Sequence, residues 1–339
     1  MGISLRQSIA LPSMLFAVSA ASASMAASSL EPFFSRGYGS TLYRLEMTFP
    51  LTENGQNSGS DDIKGMGQSE LEYPLNAFTG GFRYRYDDMN AEGRSRGYFC
   101  GLWSNFSQPS SKMEDTDWFG ATRSSGSSTS SALYKFSDTH SRVEMRGYGG
   151  EAGFDIGDYR LFGKPVRFGL AVRAERLSFD VFGVEGWQRF PDEDPVIIDT
   201  LPDQIVLTYA LLRVMPRAFA EFRLAQGGRS QWKGIFTAAP GFAFDHDDHI
   251  LRKKDSHTFA YGFELGAASE LSYRVTSNAD LVVKAELAYF RTKGEMDQHF
   301  YGDDPSTPDA DETGQSLKGI TTRIIGLGGS VSLGCRYLF

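Results

Sequence analysis

The chain has 339 residues and a formal net charge of −8, from 34 Lys and Arg against 42 Asp and Glu. This acidic balance argues against a nucleic-acid partner, because nucleic-acid-binding proteins present basic surfaces. Glycine is frequent (37), Phe and Tyr are abundant (26 and 15), and the mean hydropathy is negative. This composition suits a soluble secreted β protein. It also suits a transmembrane β-barrel, whose strands alternate polar and apolar residues.

The N-terminal segment has the pattern of a secretory signal peptide. Arg6 precedes an apolar stretch, 9–21, which is followed by small residues. Cleavage is therefore predicted near residue 26, with 1–26 as signal peptide and 27–339 as a single barrel domain. The two cysteines, Cys100 and Cys335, are too few for a disulfide framework and lie in different predicted strands.

The mature chain reads as ten β-strands. Their predicted ranges are 41–49, 69–86, 97–106, 141–156, 166–181, 205–224, 231–247, 258–273, 280–292 and 319–339. Most are longer than the five or six residues usual in a globular sheet, and membrane strands need about 9–11. Short turns alternate with long connections, among them a Ser-rich loop over 107–136 and further loops over 182–204 and 294–317. The even strand count predicts an all-β, ten-stranded antiparallel transmembrane barrel with long extracellular loops and both termini on the periplasmic side.

The last strand is the most specific signal of the barrel. Apolar residues alternate there with small or polar ones and the chain ends on an aromatic, the apolar row being Val331, Leu333, Cys335, Tyr337 and Phe339. One apolar face and one polar face are what lipid outside and a wet lumen inside require. A soluble lipocalin-like barrel is the competing interpretation.

Two acidic motifs are expected to meet at one rim of this barrel. Asp115 and Asp117 follow the third predicted strand, and Asp245, Asp247 and His249 end the seventh. Both strands run outward, and the alternation that sends Phe244 to lipid sends the second motif into the lumen. A histidine held by a carboxylate is a usable general base near neutral pH, so the set could activate water. The acidic residues could instead keep a loop solvated or bind calcium.

The pairing of Asp115-x-Asp117-Trp118 with Asp245-x-Asp247-x-His249 resembles the omptin family, aspartic-type endoproteases on ten-stranded outer-membrane barrels. The resemblance implies that Asp247 orients His249, that His249 and Asp115 hold the attacking water, and that Asp117 supports them. It further implies that Asp245 receives a basic substrate side chain.

The same resemblance implies a location in the outer membrane of a Gram-negative-type cell, with the active site extracellular. It implies a peptide or protein substrate, no metal or organic cofactor, and lipopolysaccharide as a required activator. Arg252, Lys253 and Lys254 are candidates for the lipopolysaccharide contact. The glutamate that omptins carry in the first strand region has no counterpart here, so neither Glu46 nor Glu53 is assigned.

Two further functions stay open at the sequence level. One is a catalytically silent barrel that acts as a porin or adhesin, although ten strands enclose an interior filled mostly by side chains. The other is a cation-dependent hydrolase that modifies lipid A. The remaining histidines, His140, His257 and His299, lack a partner motif and are predicted to be wall or loop residues.

Overall fold

The computed structural model describes residues 27–50, 62–89, 95–107, 111–125, 128–161, 163–189, 194–304 and 311–339. The predicted signal peptide, 1–26, lies outside the described residues. No helix in the described part of the chain is long and apolar enough to span a membrane.

Thirteen β-strands form one antiparallel sheet in the described residues. They are β1 (Ala27–Pro50), β2 (Asp62–Pro74), β3 (Ala77–Met89), β4 (Ser95–Ser107), β5 (Lys112–Ser125), β6 (Ser128–Leu161), β7 (Lys164–Gln188), β8 (Val196–Asp199), β9 (Ile205–Gln226), β10 (Ser230–His249), β11 (Lys254–Thr276), β12 (Ala279–Phe300) and β13 (Ser316–Leu338).

The sheet closes into a barrel through ten wall strands. From β1 the ring runs through β13, β12, β11, β10, β9 and β7 to β6. At the end of the barrel near the chain termini, β6 pairs with β4, β4 with β3, and β3 with β1. At the opposite end, β6 pairs with β5, β5 with β2, and β2 with β1. β2 with β3, and β4 with β5, each form one wall strand in two parts, so the predicted ten-stranded barrel is confirmed. Ser28 and Phe339 exchange backbone hydrogen bonds, which places both ends of the described chain at one rim.

Three predicted loops are wrong in part, because the wall continues through them. The Ser-rich stretch 107–136 contains all of β5 and the start of β6, β7 runs on to Gln188, and β12 runs on to Phe300. These extensions form the upper wall, the half away from the termini. There the outer face is charged, with ion pairs Arg44–Glu70 and Arg142–Glu144. Without an apolar outer row the alternation that reveals a lipid-facing strand is lost.

An apolar band covers the outer face of the lower and middle wall. On β10 it reaches from Trp232 to Phe244, and on β11 from Tyr273 to Phe259. The outward row predicted for the last strand is also exposed, including Leu333 and Tyr337. The thirteen positions from 232 to 244 exceed the roughly 9–11 residues that a bilayer needs. Phe244 and Phe259 are register partners and mark the top of the band; the wall beyond them stands outside the lipid.

The barrel interior has two layers, and neither leaves a wide channel. The upper layer is a buried apolar cluster built around Tyr43, Tyr73, Phe179, Tyr209 and Leu211. Below it lies a cavity of about 530 Å³ whose lining includes many charged side chains of both signs. Because large side chains fill the lumen beneath the upper rim, the layout disfavours a porin.

Ion pairs hold the lower layer together. Glu175 accepts hydrogen bonds from Arg213, from Trp103 (3.3 Å) and from Asn105 (3.1 Å). Arg217 pairs with Glu264, and Arg336 of β13 bridges Glu31 of β1 and Glu270 of β11. A charge in such a place is stable only while its partners satisfy it.

Replacing Glu175 by Gln is expected to lower the free energy of unfolding by about 2 kcal/mol, because hydrogen bonds to a charged group become neutral ones and Arg213 loses its counter-ion. Urea unfolding of the refolded barrel in detergent would measure this. Glu185→Gln is the control, since Glu185 is an exposed carboxylate on the same strand. Equal loss in both variants would contradict a structural role for the interior pair.

Candidate active site

The end of β10 carries three of the predicted site residues on its inward face. Asp245 and Asp247 are only 5% and 2% exposed, whereas their neighbours Phe244 and His246 point outward. His249 continues the inward row as the last residue of the strand. The period of two along an extended strand produces this arrangement. All three lie beyond the top of the apolar band.

Each of the two aspartates accepts a hydrogen bond from a hydroxyl on the neighbouring strand. Thr258 bonds to Asp245 and Ser256 to Asp247, and each pair occupies opposite positions in the β10–β11 register. Asp245 also accepts a weaker bond from the Tyr43 hydroxyl at 3.4 Å. These hydroxyl residues were not predicted as site residues. The sequence signal for Ser256 and Thr258 is their alternation along the strand, which predicts a polar inner face for β11.

His249 lies beside Asp247, with 3.7 Å between its Nε2 and the Oδ1 of the aspartate. Burial is the largest cause that lowers the pKa of His249 well below its usual value, and the charges of Lys254 and Arg252 lower it further. Burial raises the pKa of Asp247 to about 6, against the opposing effects of Ser256 and Lys254. The imidazole is therefore neutral near pH 7 and free to accept a proton.

Asp115 and Asp117 lie on β5, a wall strand and not the predicted loop. Both share the inward face with buried Met113, and β5 pairs with β2 on one side and β6 on the other. Ser69 donates to both carboxylates and Ser137 to Asp117. Burial is the main cause that raises the pKa of each carboxyl, and the Asp117 charge raises the pKa of Asp115 further. Two like charges this close favour sharing one proton.

The two acidic groups meet around one tyrosine in the lumen. Burial is the largest cause that raises the pKa of Tyr73, followed by the charges of Asp247, Asp115 and Asp245. Tyr73 is completely buried and stacks on Tyr209, with 4.7 Å between ring centroids. It therefore lies close to the carboxylates of both β5 and β10.

Lys254 is a site residue that sequence reasoning placed elsewhere. β11 begins at Lys254, so only the four residues Ile250–Lys253 separate it from β10, and Lys254 lies opposite His249 in the register. Its side chain is buried on the inner face, a position that does not suit the contact with lipopolysaccharide for which it is a candidate. Burial lowers its pKa to about 8, while the charges of Asp247 and Asp117 act in the opposite direction. Lys254 thus stands between the two acidic groups.

The turn before Lys254 is fixed to the neighbouring hairpin. Arg252 donates from Nε to Asp304 at 2.8 Å, and Lys253 adopts a positive φ of 50°. The positive charge of Arg252 also lowers the pKa of Asp115 and Asp117. The upper rim is therefore a polar recess that holds a neutral imidazole, four carboxyl groups and two cationic side chains.

This arrangement suits proton transfer to and from a bound water. A neutral imidazole can take a proton, the adjoining carboxylate can stabilise the resulting cation, and a carboxyl pair that shares a proton can donate a hydrogen bond. Within the described residues, the side-chain set of this recess does not resemble a structural metal centre, since it combines one histidine with Lys254 and Arg252. Cationic side chains compete with a metal ion for the same carboxylates.

Comparison with known proteins supports the fold. No protein-family model matches the sequence, and no curated protein is similar to it in sequence. The crystal structure of the outer-membrane protease OmpT from Escherichia coli superposes with a TM-score of 0.65 at 17% identity, over 92% of this chain and 97% of that one.

Two other outer-membrane barrels align much more weakly. OprG from Pseudomonas aeruginosa is 10% identical over 91% of this chain and 95% of its own, and the β-domain of the Bordetella autotransporter BrkA is 12% identical over 90% and 100%; both have a TM-score of 0.25. At that score neither of them bears on the fold or the function of this chain. This chain therefore has the fold of a ten-stranded outer-membrane β-barrel like that of OmpT.

Proposed function

We propose that this protein is an outer-membrane endopeptidase of the omptin type. The observation that carries the proposal is the convergence of the Asp247–His249 pair and the Asp115–Asp117 pair on one recess at the upper rim, around Tyr73 and Lys254. The fold shared with OmpT agrees with it.

Hydrolysis would begin with a water held between His249 and Asp115. The His249 imidazole takes one proton from that water, and the hydroxide oxygen forms a bond to the carbonyl carbon of the substrate peptide. Asp247 stabilises the imidazolium that results. The proton of the Asp115–Asp117 pair supports the developing oxyanion through a hydrogen bond. When the carbon–nitrogen bond breaks, His249 returns its proton to the leaving amine, and the other product is a carboxylic acid.

Asp245 is proposed to receive a cationic substrate side chain. It lies one inward position deeper than Asp247, and its Oδ2 is buried without a hydrogen-bond partner among the described residues. Burial raises the pKa of Asp245 to about 7, so an approaching Lys or Arg would favour its ionised form. Lys254 would oppose the same cation, which predicts a weaker preference for basic residues than the four carboxyl groups alone suggest.

The location and the activator belong to this proposal. The site lies at the rim opposite the chain termini, so termini on the periplasmic side would place it outside the cell. Lipopolysaccharide is proposed as the activator, in contact with the outer wall above the apolar band, where charged side chains replace aromatic ones.

The proposal is tested with refolded protein on a library of internally quenched peptides, with and without lipopolysaccharide. Cleavage within the peptides, enhanced by lipopolysaccharide and identified by mass spectrometry of the fragments, is expected. A correctly folded barrel that cleaves no peptide under either condition would overturn the proposal and favour a silent barrel. Release of a fatty acid or phosphate from lipid A would favour the lipid-modifying hydrolase.

Replacing Lys254 by Met is expected to lower KM about fivefold for peptides with Arg or Lys beside the cut bond, because removal of a nearby like charge contributes roughly 1 kcal/mol. Peptides with neutral residues there should change little. Lys253→Met is the matched control, since Lys253 lies in the turn next to it. Steady-state kinetics on paired peptides would measure both, and an equal change for charged and neutral peptides would refute a charge effect.

A further inference from the structure

A second cluster of titratable side chains lies on the outer face of the same two strands. His246 of β10 and His257 of β11 are register partners, and their rings stack with 4.5 Å between centroids and 12° between planes. Asp255 Oδ2 lies 3.4 Å from the Nε2 of His257 and 3.9 Å from that of His246. The three ligand atoms all lie within 4.8 Å of one another. The proposed hydrolysis uses none of these residues.

The spacing of these three ligand atoms is close to that of side chains that bind one metal ion together. Zinc binds imidazole nitrogen and carboxylate oxygen at about 2.0–2.2 Å, so two ligands at tetrahedral angles lie roughly 3.4 Å apart. The two nitrogen–oxygen distances, 3.4 Å and 3.9 Å, approach that separation without any change of backbone. Parallel stacked rings cannot hydrogen-bond to each other, but their Nε2 atoms both face the same carboxylate.

The ligand chemistry selects the class of ion. Two imidazoles and one carboxylate suit zinc, copper or nickel, whereas calcium and magnesium prefer sets made only of oxygen. Side-chain exposures of 48% for His246 and 68% for His257 leave the remaining coordination positions open to water.

The cluster is exposed to water and has a further negative charge beside it. It begins at the next outward-facing register pair, two pairs above Phe244 and Phe259, the top of the apolar band. Asp248 is the register partner of Asp255 at the next outward pair and accepts a hydrogen bond from the Tyr301 hydroxyl at 2.8 Å. A second carboxylate so near attracts a dication.

We propose that His246, His257 and Asp255 form a binding site for a divalent transition-metal ion, with zinc as the representative, on the outer wall of the barrel. The ion joins β10 to β11 directly behind Asp247 and Lys254, which occupy the inner faces of the same strands. It therefore ties together the two strands that carry half of the proposed active site.

The test is zinc titration calorimetry on the protein refolded in a phosphate-free non-ionic detergent. One zinc ion per chain is expected, with no competition from millimolar magnesium. The double variant His246→Ala, His257→Ala should weaken binding by more than about 100-fold, beyond the roughly 10–100-fold loss caused by removing a supporting partner of a ligand. Asp255→Asn, which keeps the shape of the side chain, should give a smaller loss. Circular dichroism would verify that every variant folds.

Two histidine variants serve as matched controls. His140 is an exposed histidine beside Glu185 on a distant wall strand, and His249 is the inward histidine. Both His140→Ala and His249→Ala should bind zinc as the unaltered protein does. Unchanged affinity in the double variant would overturn the proposal, as would loss of binding in His249→Ala alone, which would move the ion to the inner site. Because the readout is binding, failure of the peptidase proposal would leave this result unaffected.

Discussion

Alanine in place of His249 is expected to lower the rate of peptide cleavage about 10³-fold, within the range contributed by a general base. Among the described residues, the imidazole is the one neutral base of the recess near pH 7, because burial and the charges of Lys254 and Arg252 lower its pKa. Asp247→Asn should also reduce kcat strongly, since the carboxylate 3.7 Å away stabilises the imidazolium. Initial rates on a quenched peptide, for protein whose folding is verified by circular dichroism, would measure both losses.

His140→Ala is the control for that experiment. His140 is exposed, and its Nε2 lies 3.1 Å from Glu185, so it forms a histidine–carboxylate pair without access to the recess. Its variant should cleave at the full rate. Should His249→Ala retain more than a tenth of the activity, water activation by this imidazole would have no support, and the base would have to be sought elsewhere.

The double variant Asp115→Asn, Asp117→Asn is expected to lose roughly 10²–10³-fold in activity and yet to gain thermal stability at alkaline pH. Burial raises the pKa of both carboxyl groups in the folded chain above the value of about 4 found in an unfolded one. The folded state therefore binds more protons than the unfolded state between those two pKa values. By linkage, the favourable contribution of the protonated pair is complete below about pH 4 and is lost as pH rises through the raised pKa values.

The stability difference should therefore depend on pH in one direction. At pH 4 the unaltered protein and the double variant should melt at similar temperatures. At pH 8.5 the variant should melt about 1–2 °C higher, the shift that about 1 kcal/mol implies in a chain of this size. Asp138→Asn is the control, because Asp138 lies on β6 opposite Thr116 and points outward to Lys135. A double variant that is less stable at pH 8.5 than at pH 4, relative to the unaltered protein, would contradict the charge argument.

The two predictions concern residues on β10 and on β5, and the sequence predicts the position of the first group but not of the second. The inward row of β10 follows from alternation alone, since the outward neighbours Phe242 and Phe244 identify the lipid side. The position of Asp115 and Asp117 in a wall strand does not follow from alternation. Their strand lies above the band, where outward residues such as Glu114 meet water, so both faces are polar and the period-two signal disappears.

The partners of the acidic residues are a further part that alternation cannot supply. Ser69 and Ser256 become hydroxyl donors only through the registers of β2 with β5 and of β10 with β11. Register between distant strands depends on the closure of the whole barrel and not on local pattern. The same holds for the stacked pair His246 and His257, which the sequence presents as two unrelated polar residues.

The sequence by itself determined the strand-rich composition, the ten-strand count, the lipid-facing row of the last strand and the inward column at Asp245, Asp247 and His249, because each of these follows from period-two alternation beside lipid. The tertiary structure alone decided that Asp115 and Asp117 belong to the wall, that Tyr73 lies close to both acidic groups, and that Lys254 points inward. The physical reason is that closing a sheet on itself sets which residues of distant strands face each other, and that choice has no counterpart in local hydrophobicity.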